Sequence, residues 1–490
     1  MSDLAYISAS DALAAFRAKR LSPVELTDAI IARAERTEPD VNAFTYRYFE
    51  DARAAARNAE ARYMGHGAAP RLLEGLCVAV KDAGHIAGQP TSAGSLLSDT
   101  TPQPATSPIN ERVLATGAIV HARSATPEFS CAAVTWSKRW GVTRNPWNLD
   151  MTPGGSSGGA GAALAVGSTT LSTGSDIGGS IRIPASCCGV VGYKPPRGRN
   201  PVDAPFNLDP YCHTGPLART VADALLFQNC LSGPHPADPC TLPKRQIKPS
   251  GQSVRDLKIA VSRDLGFFSV DPEVAAALYL AASQFRDMGA QVSDVELPWT
   301  GDVLSAALTH LRLIFGTSIA PENDADWPYM TPYAERFARE GLAVQPRDYV
   351  AALSVVGEAG RSLGAIMGNF DLLLCPTTAI PAVKADFDPG SESLQISGRS
   401  VDPMLGRVMT APFNMLGTHP VLSLPMALAR NGVPMGLQIV GRPFDEDTVF
   451  RAGLAFERAR GAWFTGQGPK VKELELSGIE LKSRVLPVAG

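Results

Sequence analysis

Two serines lie in glycine-rich segments, where the backbone N–H groups beside a hydroxyl would be unshielded. Ser156 lies in the run Gly-Gly-Ser-Ser-Gly-Gly at 154–159, and Ser180 directly follows Gly178 and Gly179. Because glycine has no Cβ, consecutive N–H groups at such a position can converge on one oxygen atom. An oxyanion hole for acyl transfer requires this arrangement, and the loss of one such donor costs roughly 3–4 kcal/mol. The pattern therefore indicates serine-based acyl transfer.

A serine hydroxyl is a weak nucleophile until a neighbouring base takes its proton. No histidine lies in either glycine-rich segment, but Lys81 directly follows the apolar run at 75–80. We predict that this run is a strand buried on both faces, and burial would lower the pKa of the lysine amine. Serine–lysine variants of the catalytic triad are known. Lys81 is therefore the candidate base.

Each of these features also has an ordinary structural explanation. A single lysine after a strand is most often a solvated surface charge, and a single Gly-Gly-Ser is most often a turn. Asp176 and Arg182 could form a buried ion pair that holds the loop around Ser180 in shape. The prediction of a serine hydrolase therefore depends on the combination of these features.

The elements that must position these residues alternate between strands and helices, which predicts an α/β fold. The predicted strands cover 75–80, 118–120, 257–261, 291–297, 370–375 and 436–440, and the predicted helices cover 51–63, 111–118, 160–166, 220–226, 271–289 and 445–458. Residues 1–65 are predicted to form an N-terminal helical segment that packs on the core. Residues 66–470 would form one α/β domain, with a largely helical cap region at about 302–369, and residues 471–490 would form a C-terminal tail.

The composition argues against several classes of protein. A formal net charge of −3 provides no basic field for nucleic acid. The N-terminus lacks a signal-peptide pattern, and no run of about 18 apolar residues would span a membrane. The eight cysteines are scattered, so we expect reduced thiols and a cytoplasmic protein. Histidines and cysteines lack metal-ligand spacing, so no metal site is expected.

Several segments resemble the motifs of the amidase signature family of serine hydrolases. The central tract runs from 154–159 through Gly-Ser-Asp-Ile-Gly-Gly-Ser-Ile-Arg-Ile-Pro-Ala at 174–185. Further matching segments lie at 78–82, 189–195, 215–221, 374–377 and 412–443. They follow one another in order along most of the chain, and the central tract is long and specific.

The resemblance implies a Ser–cis-Ser–Lys triad. Ser180 would be the acylated nucleophile, Ser156 the bridging serine after a cis peptide bond, and Lys81 the base behind it. The oxyanion hole would consist of backbone N–H groups of the loop that ends in the nucleophile, namely those of Ile177, Gly178, Gly179 and Ser180. Ser130 would border the substrate. The residues that support the loop would be Ser157, Asp176 and Arg182.

The resemblance also implies the fold and the reaction. The fold would be a single large domain with a central mixed, twisted β-sheet covered by helices on both faces. The reaction would be hydrolysis of linear amides, or of aryl amides, carbamates or esters, through an acyl-enzyme and without a cofactor. The partner would be a small-molecule substrate, with no nucleic acid and no membrane, and a homodimer is common for such enzymes.

The chain departs from the family pattern in one loop. Where many members have Gly-Lys-Thr-Asn after the strand that ends near 120, this chain has His-Ala-Arg-Ser-Ala at 121–125. Because the asparagine is missing, the substrate contacts of relatives at this loop do not transfer. The resemblance therefore leaves the substrate open.

Three alternatives compete with an amide hydrolase of this family. An α/β-hydrolase using Ser156 is suggested because 154–158 matches G-x-S-x-G, but the preceding residues 145–153 cannot form the required strand. A phosphate-binding module would need the GK[ST] ending of a P-loop, which is missing. The third alternative is the amidase subunit of a tRNA-dependent amidotransferase. The altered loop at 121–125 and the acidic net charge favour a free-standing hydrolase instead.

Overall fold

Eleven strands form one sheet in this computed structural model, which describes residues 3–251, 253–461 and 463–464. In chain order, the strands are β1 Phe44–Arg47, β2 Cys77–Lys81, β3 Ile119–Ser124, β4 Trp136–Ser137, β5 Gly141–Val142, β6 Leu171–Asp176, β7 Val191–Lys194, β8 His213–Ala218, β9 Lys258–Val261, β10 Gln291–Asp294, β11 Leu372–Pro376, β12 Leu394–Ile396, β13 Arg399–Val401, β14 Val421–Leu428 and β15 Pro434–Gly441.

The order of strands across the sheet is β1-β3-β2-β6-β8-β7-β14-β15-β11-β9-β10. Strands β2 and β9 pair in parallel with both of their neighbours, whereas the other pairs in this sheet are antiparallel. Strands β4 and β5 form a separate pair, as do β12 and β13. The predicted α/β fold with a central mixed sheet is therefore confirmed.

Helices cover this sheet. They are α1 Ala9–Arg17, α2 Pro23–Val41, α3 Phe49–Tyr63, α4 Pro108–Ala115, α5 Gly158–Val166, α6 Arg182–Cys188, α7 Val221–Leu231, α8 Pro272–Asp287, α9 Gly301–His310, α10 Pro332–Ala343, α11 Pro346–Met367, α12 Pro412–Met415 and α13 Glu446–Arg460. A π-helical segment, Leu311–Gly316, continues α9, and short 3₁₀ turns lie at Leu4–Tyr6, Glu128–Ser130, Phe206–Leu208 and Asp324–Tyr329.

Side-chain alternation along β2 decides which face of the sheet carries the candidate base. Val78 and Val80 pack in the apolar core that also contains α7, α8 and α13. Ala79 packs in a different cluster, against α5. Because successive side chains of a strand point to opposite faces, Lys81 lies on the same side of the sheet as Ala79. This is the side from which α5 and α6 pack.

Helix α11 meets the length and composition criteria for a membrane-spanning helix, with a mean hydropathy of 1.3, and no other described helix does. The sequence contains no uninterrupted apolar run here because Glu358 and Arg361 lie within the helix. The helix packs along α9, and the Trp299 indole N–H donates to Ser362 Oγ at 2.9 Å. It lies in the segment predicted to form the helical cap region.

The structure contains strands that the sequence analysis does not predict. Residues 1–65 are predicted to be helical, but β1 lies among them and pairs with β3 at the sheet edge. Strand β6 has the sequence Leu-Ser-Thr-Gly-Ser-Asp, which contains no apolar run. Its hydroxyls bond to the neighbouring strand instead, as when Ser172 Oγ donates to the Ala79 carbonyl oxygen at 2.7 Å. The predicted tail at 471–490 lies outside the described residues.

Candidate active site

Lys81 ends β2 with its amine buried beside two serine hydroxyls. The residue is 4% exposed, and its Nζ donates to Ser156 Oγ at 2.7 Å and to Ser175 Oγ at 2.8 Å. Burial lowers the pKa of Lys81 to about 7, although the acidic groups of Cys212 and Asp176 oppose the shift. A large share of the amines is therefore neutral at neutral pH, so Lys81 can accept a proton.

Ser175 is a residue of this site that the sequence analysis did not assign. It lies near the end of β6, and its hydroxyl oxygen accepts a hydrogen bond from Lys81 Nζ at 2.8 Å, close to the 2.7 Å of the bond to Ser156. The available signal was its position in the central tract, two residues before Ile177. With both serines in place, the lysine amine is oriented by two polar neighbours.

Ser156 is held in a segment where a larger neighbour would not fit. The Gly155–Ser156 peptide bond is cis. A Cβ on Gly155 would collide with the carbonyl oxygen of Val134. Ser157 N–H donates to the Ser180 carbonyl oxygen at 3.1 Å, which joins the two glycine-rich segments, while Ser157 Oγ is buried without a hydrogen-bond partner among the described residues. The backbone of Ser157, rather than its hydroxyl, therefore supports the loop.

Ser180 lies between β6 and α6 and is 8% exposed. Its hydroxyl makes no hydrogen bond to any described residue. The N–H groups of Ile177, Gly178, Gly179 and Ser180 also donate to no described acceptor. Gly179 has a φ of +133°, and a Cβ there would collide with the side chain of Thr410. The loop therefore presents a free hydroxyl together with free backbone donors.

A buried ion pair anchors this loop. The Arg182 guanidinium donates to the two Asp176 carboxylate oxygens at 3.0 and 2.9 Å, and both side chains are fully buried. Burial alone would raise the pKa of Asp176, but the Arg182 charge and the Asn414 amide hold it below its usual range. Arg182 also donates to Asn414 Oδ1 at 2.6 Å and to Gln438 Oε1 at 2.8 Å. All of its guanidinium nitrogens thus have partners.

The same network fixes the loop from the other side. Thr410 Oγ1 donates to the Gly178 carbonyl oxygen at 2.6 Å, and the Thr410 carbonyl oxygen accepts from Arg182 at 3.1 Å. Sequence reasoning did not assign Thr410, Asn414 or Gln438. The last two lie in the segment 412–443 that resembles the family, and that was the only available signal.

Lys81, Ser156 and Ser180 line one cavity of about 460 Å³. Apolar side chains form most of its wall, including Val80, Ile109, Phe129, Ile177, Val202, Phe206, Phe315 and Ile319. Phe315 and Ile319 come from the segment between α9 and α10, so the predicted helical cap region contributes to this wall. Among the lining residues, Lys81 is the only basic side chain and Asp203 the only acidic one.

Ser130 lies where this cavity meets a second, smaller pocket of about 40 Å³. Its φ is +61° and that of Phe129 is +50°, a conformation that non-glycine residues adopt mainly at constrained sites. Ser130 Oγ and Thr126 Oγ1 are hydrogen-bonded at 2.8 Å. Ile177 and Ser180 line both spaces as well. Ser180 therefore lies at the junction of the two.

The loop that departs from the family pattern lies behind the site. None of residues 121–125 lines either space. Arg123 is fully buried, where it donates to the Lys81 carbonyl oxygen at 3.3 Å and lies 3.9 Å from the Asp82 carboxylate. The changed residues therefore support the end of β2 and do not contact the cavity.

The similarity to known proteins extends over nearly the whole chain. The family model described as Amidase matches residues 25–450. The chain is 32% identical to a glutamyl-tRNA(Gln) amidotransferase subunit of Chloroflexus aggregans, over 95% of this chain and 98% of that protein. The chain is also 34% identical to the corresponding protein of Anaeromyxobacter dehalogenans, over 94% of this chain and 97% of that protein.

A solved structure of similar fold belongs to a bacterial aryl acylamidase of the amidase signature enzymes family. The TM-score is 0.86 and the sequence identity is 29%, over 93% of this chain and 96% of that chain.

The buried ion pair gives a prediction for stability. Asp176→Ala would leave the Arg182 charge buried without its carboxylate, so we expect the free energy of unfolding to fall by about 3–5 kcal/mol. Asp256→Ala is the matched control, because its exposed carboxylate pairs with Arg451 at 2.9 Å. That change should cost less than about 1 kcal/mol. Urea denaturation measures both, and equal losses would contradict the assigned role.

Proposed function

The chain belongs to the amidase family, and we propose that it is a free-standing amidohydrolase that forms an acyl-enzyme on Ser180. The observation that carries this proposal is the buried Lys81 amine, hydrogen-bonded to Ser156 in the cavity that Ser180 also lines. The solved structure of similar fold, which is named as an aryl acylamidase, supports an amide as the substrate. The substrate would be an amide, with carbamates and esters as close chemical alternatives.

In the proposed acylation step, Ser180 Oγ attacks the carbonyl carbon while its proton passes to Ser156. Ser156 gives its own proton to neutral Lys81. The oxyanion accepts hydrogen bonds from the free N–H groups of the loop, those of Ile177, Gly178, Gly179 and Ser180. As the C–N bond breaks, Ser156 returns a proton to the leaving amine and takes one back from Lys81. Water then hydrolyses the ester on Ser180 by the same relay.

The relay requires the Ser180 hydroxyl to turn towards Ser156 when substrate binds, since the two are not hydrogen-bonded in the structure. Catalytic hydrogen bonds in ligand-free enzymes are often long and tighten only in the complex. The Asp176–Arg182 pair and the Thr410 hydroxyl would keep the oxyanion loop fixed during this turn. They would act by positioning, without contact to the reacting atoms.

A second candidate function comes from the curated relatives that are named as subunits of glutamyl-tRNA(Gln) amidotransferase. In that case the chain would be the amidase subunit of a tRNA-dependent amidotransferase, with partner proteins. Free glutamine carries an α-ammonium and an α-carboxylate, and an unpaired carboxylate is costly to bury. The lining residues offer only Lys81 as a cation, and that amine is already engaged by two serines. The cavity therefore favours an uncharged acyl group over glutamine.

The same proposal includes the cellular location. All eight cysteines are unpaired, which is typical of a reducing compartment, and we therefore propose a cytoplasmic enzyme.

Removal of the nucleophile should abolish turnover. We expect Ser180→Ala to lower kcat towards 4-nitroacetanilide or phenyl acetate by at least about 10³-fold and to eliminate the acylated species. Ser354→Ala is the control, because Ser354 is exposed on α11. Intact-protein mass spectrometry and initial rates measure the two effects. Normal acylation of Ser180→Ala would refute the assignment, and glutamine as the preferred substrate would favour the amidotransferase role.

The pH dependence follows from the lowered pKa of Lys81. Only the neutral amine accepts a proton, so kcat/KM for an uncharged amide should rise with pH and level off above about 7. Lys81→Arg would keep a cation at this position at every pH, so its residual activity should lack this rise. Rates from pH 5 to pH 9 or so test the expectation. A wild-type profile that is flat across this range would contradict it.

A further inference from the structure

Two spaces of different size meet at Ser180. The larger, of about 460 Å³, is lined by Lys81, Ser156 and Ser175. The smaller, of about 40 Å³, is lined by Gly178 of the oxyanion loop and by none of those three. An acyl group and its leaving amine lie on opposite sides of the carbonyl carbon. The two spaces can therefore hold the two halves of a substrate separately, the acyl group in one and the leaving amine in the other.

The position of the proton relay decides which half lies in which space. The leaving nitrogen must receive a proton as the C–N bond breaks, and Ser156 would supply it. Because Ser156 and Lys81 line only the larger space, the amine half lies there. The acyl half then points past Gly178 into the smaller pocket.

The smaller pocket limits the acyl group by size. Its wall is apolar, with Leu311, Phe337, Met404 and Val408 among the lining residues. At about 40 Å³ against about 460 Å³, this pocket is less than a tenth of the size of the larger space, so it is matched to a short acyl group. An acetyl, propionyl or butyryl group fits this description, whereas a long fatty acyl chain does not.

The larger space contains one carboxylate that no protein group neutralises. Asp203 is half-buried and lines the cavity beside Val202, Pro205 and Phe206. Its carboxylate has no hydrogen bond and no ion pair with any described residue. Nearly every other lining residue is apolar or uncharged, and the one cation, Lys81, is engaged by Ser156 and Ser175. A cationic group on the amine half would supply the missing partner.

We propose that the preferred substrates are short-chain N-acyl derivatives of diamines, in which the second amine of the leaving group is a cation that pairs with Asp203. This inference rests on the proposed hydrolysis at Ser180 and names its substrate class. Hydrolysis adds water across the amide bond, releasing a short carboxylic acid and the diamine. A carboxylate at the same position of the leaving group is excluded by repulsion from Asp203.

Three acetanilides that differ only in the para substituent, which is cationic, neutral or anionic, test the inference. They carry aminomethyl, hydroxymethyl or carboxylate at the para position, and the aminomethyl group is a cation at neutral pH. We expect kcat/KM to decrease in that order. Asp203→Asn should lower the ratio of the aminomethyl to the hydroxymethyl substrate by about tenfold, the effect of losing one charge-assisted hydrogen bond. Asp150→Asn, which removes an exposed charge outside the cavity, should keep the wild-type ratio.

Acyl length provides a second comparison. The aminomethyl anilides of acetate and octanoate differ only in the acyl half, and we expect the octanoyl compound to be turned over at least about tenfold more slowly. Leu311→Ala should narrow that difference because it enlarges the smaller pocket. Faster turnover of the octanoyl compound by the wild-type protein would overturn the assignment of the acyl half.

Binding of the product diamine separates this inference from the proposed reaction. Calorimetry with 4-(aminomethyl)aniline should detect binding to the wild-type protein and at least about tenfold weaker binding to Asp203→Asn. Ser180-dependent turnover of all three acetanilides at equal rates would overturn the substrate class and leave the hydrolase intact. If the diamine binds in a way that depends on Asp203 but no turnover depends on Ser180, the proposed hydrolysis is wrong and the amine site at Asp203 stands. Equal diamine affinity of the two proteins would overturn the amine site.

Discussion

Burial of the Lys81 amine is the constraint on which the rest of the site depends. The amine lies at the end of a central strand, and no carboxylate of the described residues lies within ion-pair distance of it. An ammonium ion in such a place is costly, so the pKa of Lys81 falls to about 7. The same burial leaves Ser156 and Ser175 as its polar partners, so the amine is held within hydrogen-bond distance of the Ser156 hydroxyl that would pass it a proton.

The neighbouring ion pair has the opposite electrostatic character. Asp176, Asn414 and Gln438 accept hydrogen bonds from the Arg182 guanidinium inside the protein. These partners lie on β6, α12 and β15, so the loop that carries Ser180 is tied to distant strands of the sheet. A rigid loop keeps its N–H groups free for a developing oxyanion without reorganisation. The site thus combines a lysine whose pKa burial lowers with a buried arginine whose guanidinium nitrogens all have hydrogen-bond partners.

The sequence predicts the α/β class from its apolar runs, and its resemblance to the family in the central tract implies the mixed sheet and the segments of the site. It does not predict β6, because hydroxyl side chains replace the apolar run there. Thr410 and Phe315 were also missed, since each reaches the site from a segment far along the chain, and only tertiary packing brings them there. Asp203 is unremarkable in the sequence, because its lack of a partner is a property of the folded cavity.

Carbon-13 NMR titration of the lysine ε-carbons measures the protonation of Lys81 without any substrate, and so tests whether its amine can act as a neutral base. The Lys81 resonance is assigned by its loss in Lys81→Ala, and Lys258, which is exposed at the start of β9, serves as the internal comparison. We expect Lys81 to titrate at about 7, while exposed lysines titrate at about 10.4. Titration of Lys81 together with the exposed lysines would contradict a neutral base and, with it, the proposed relay.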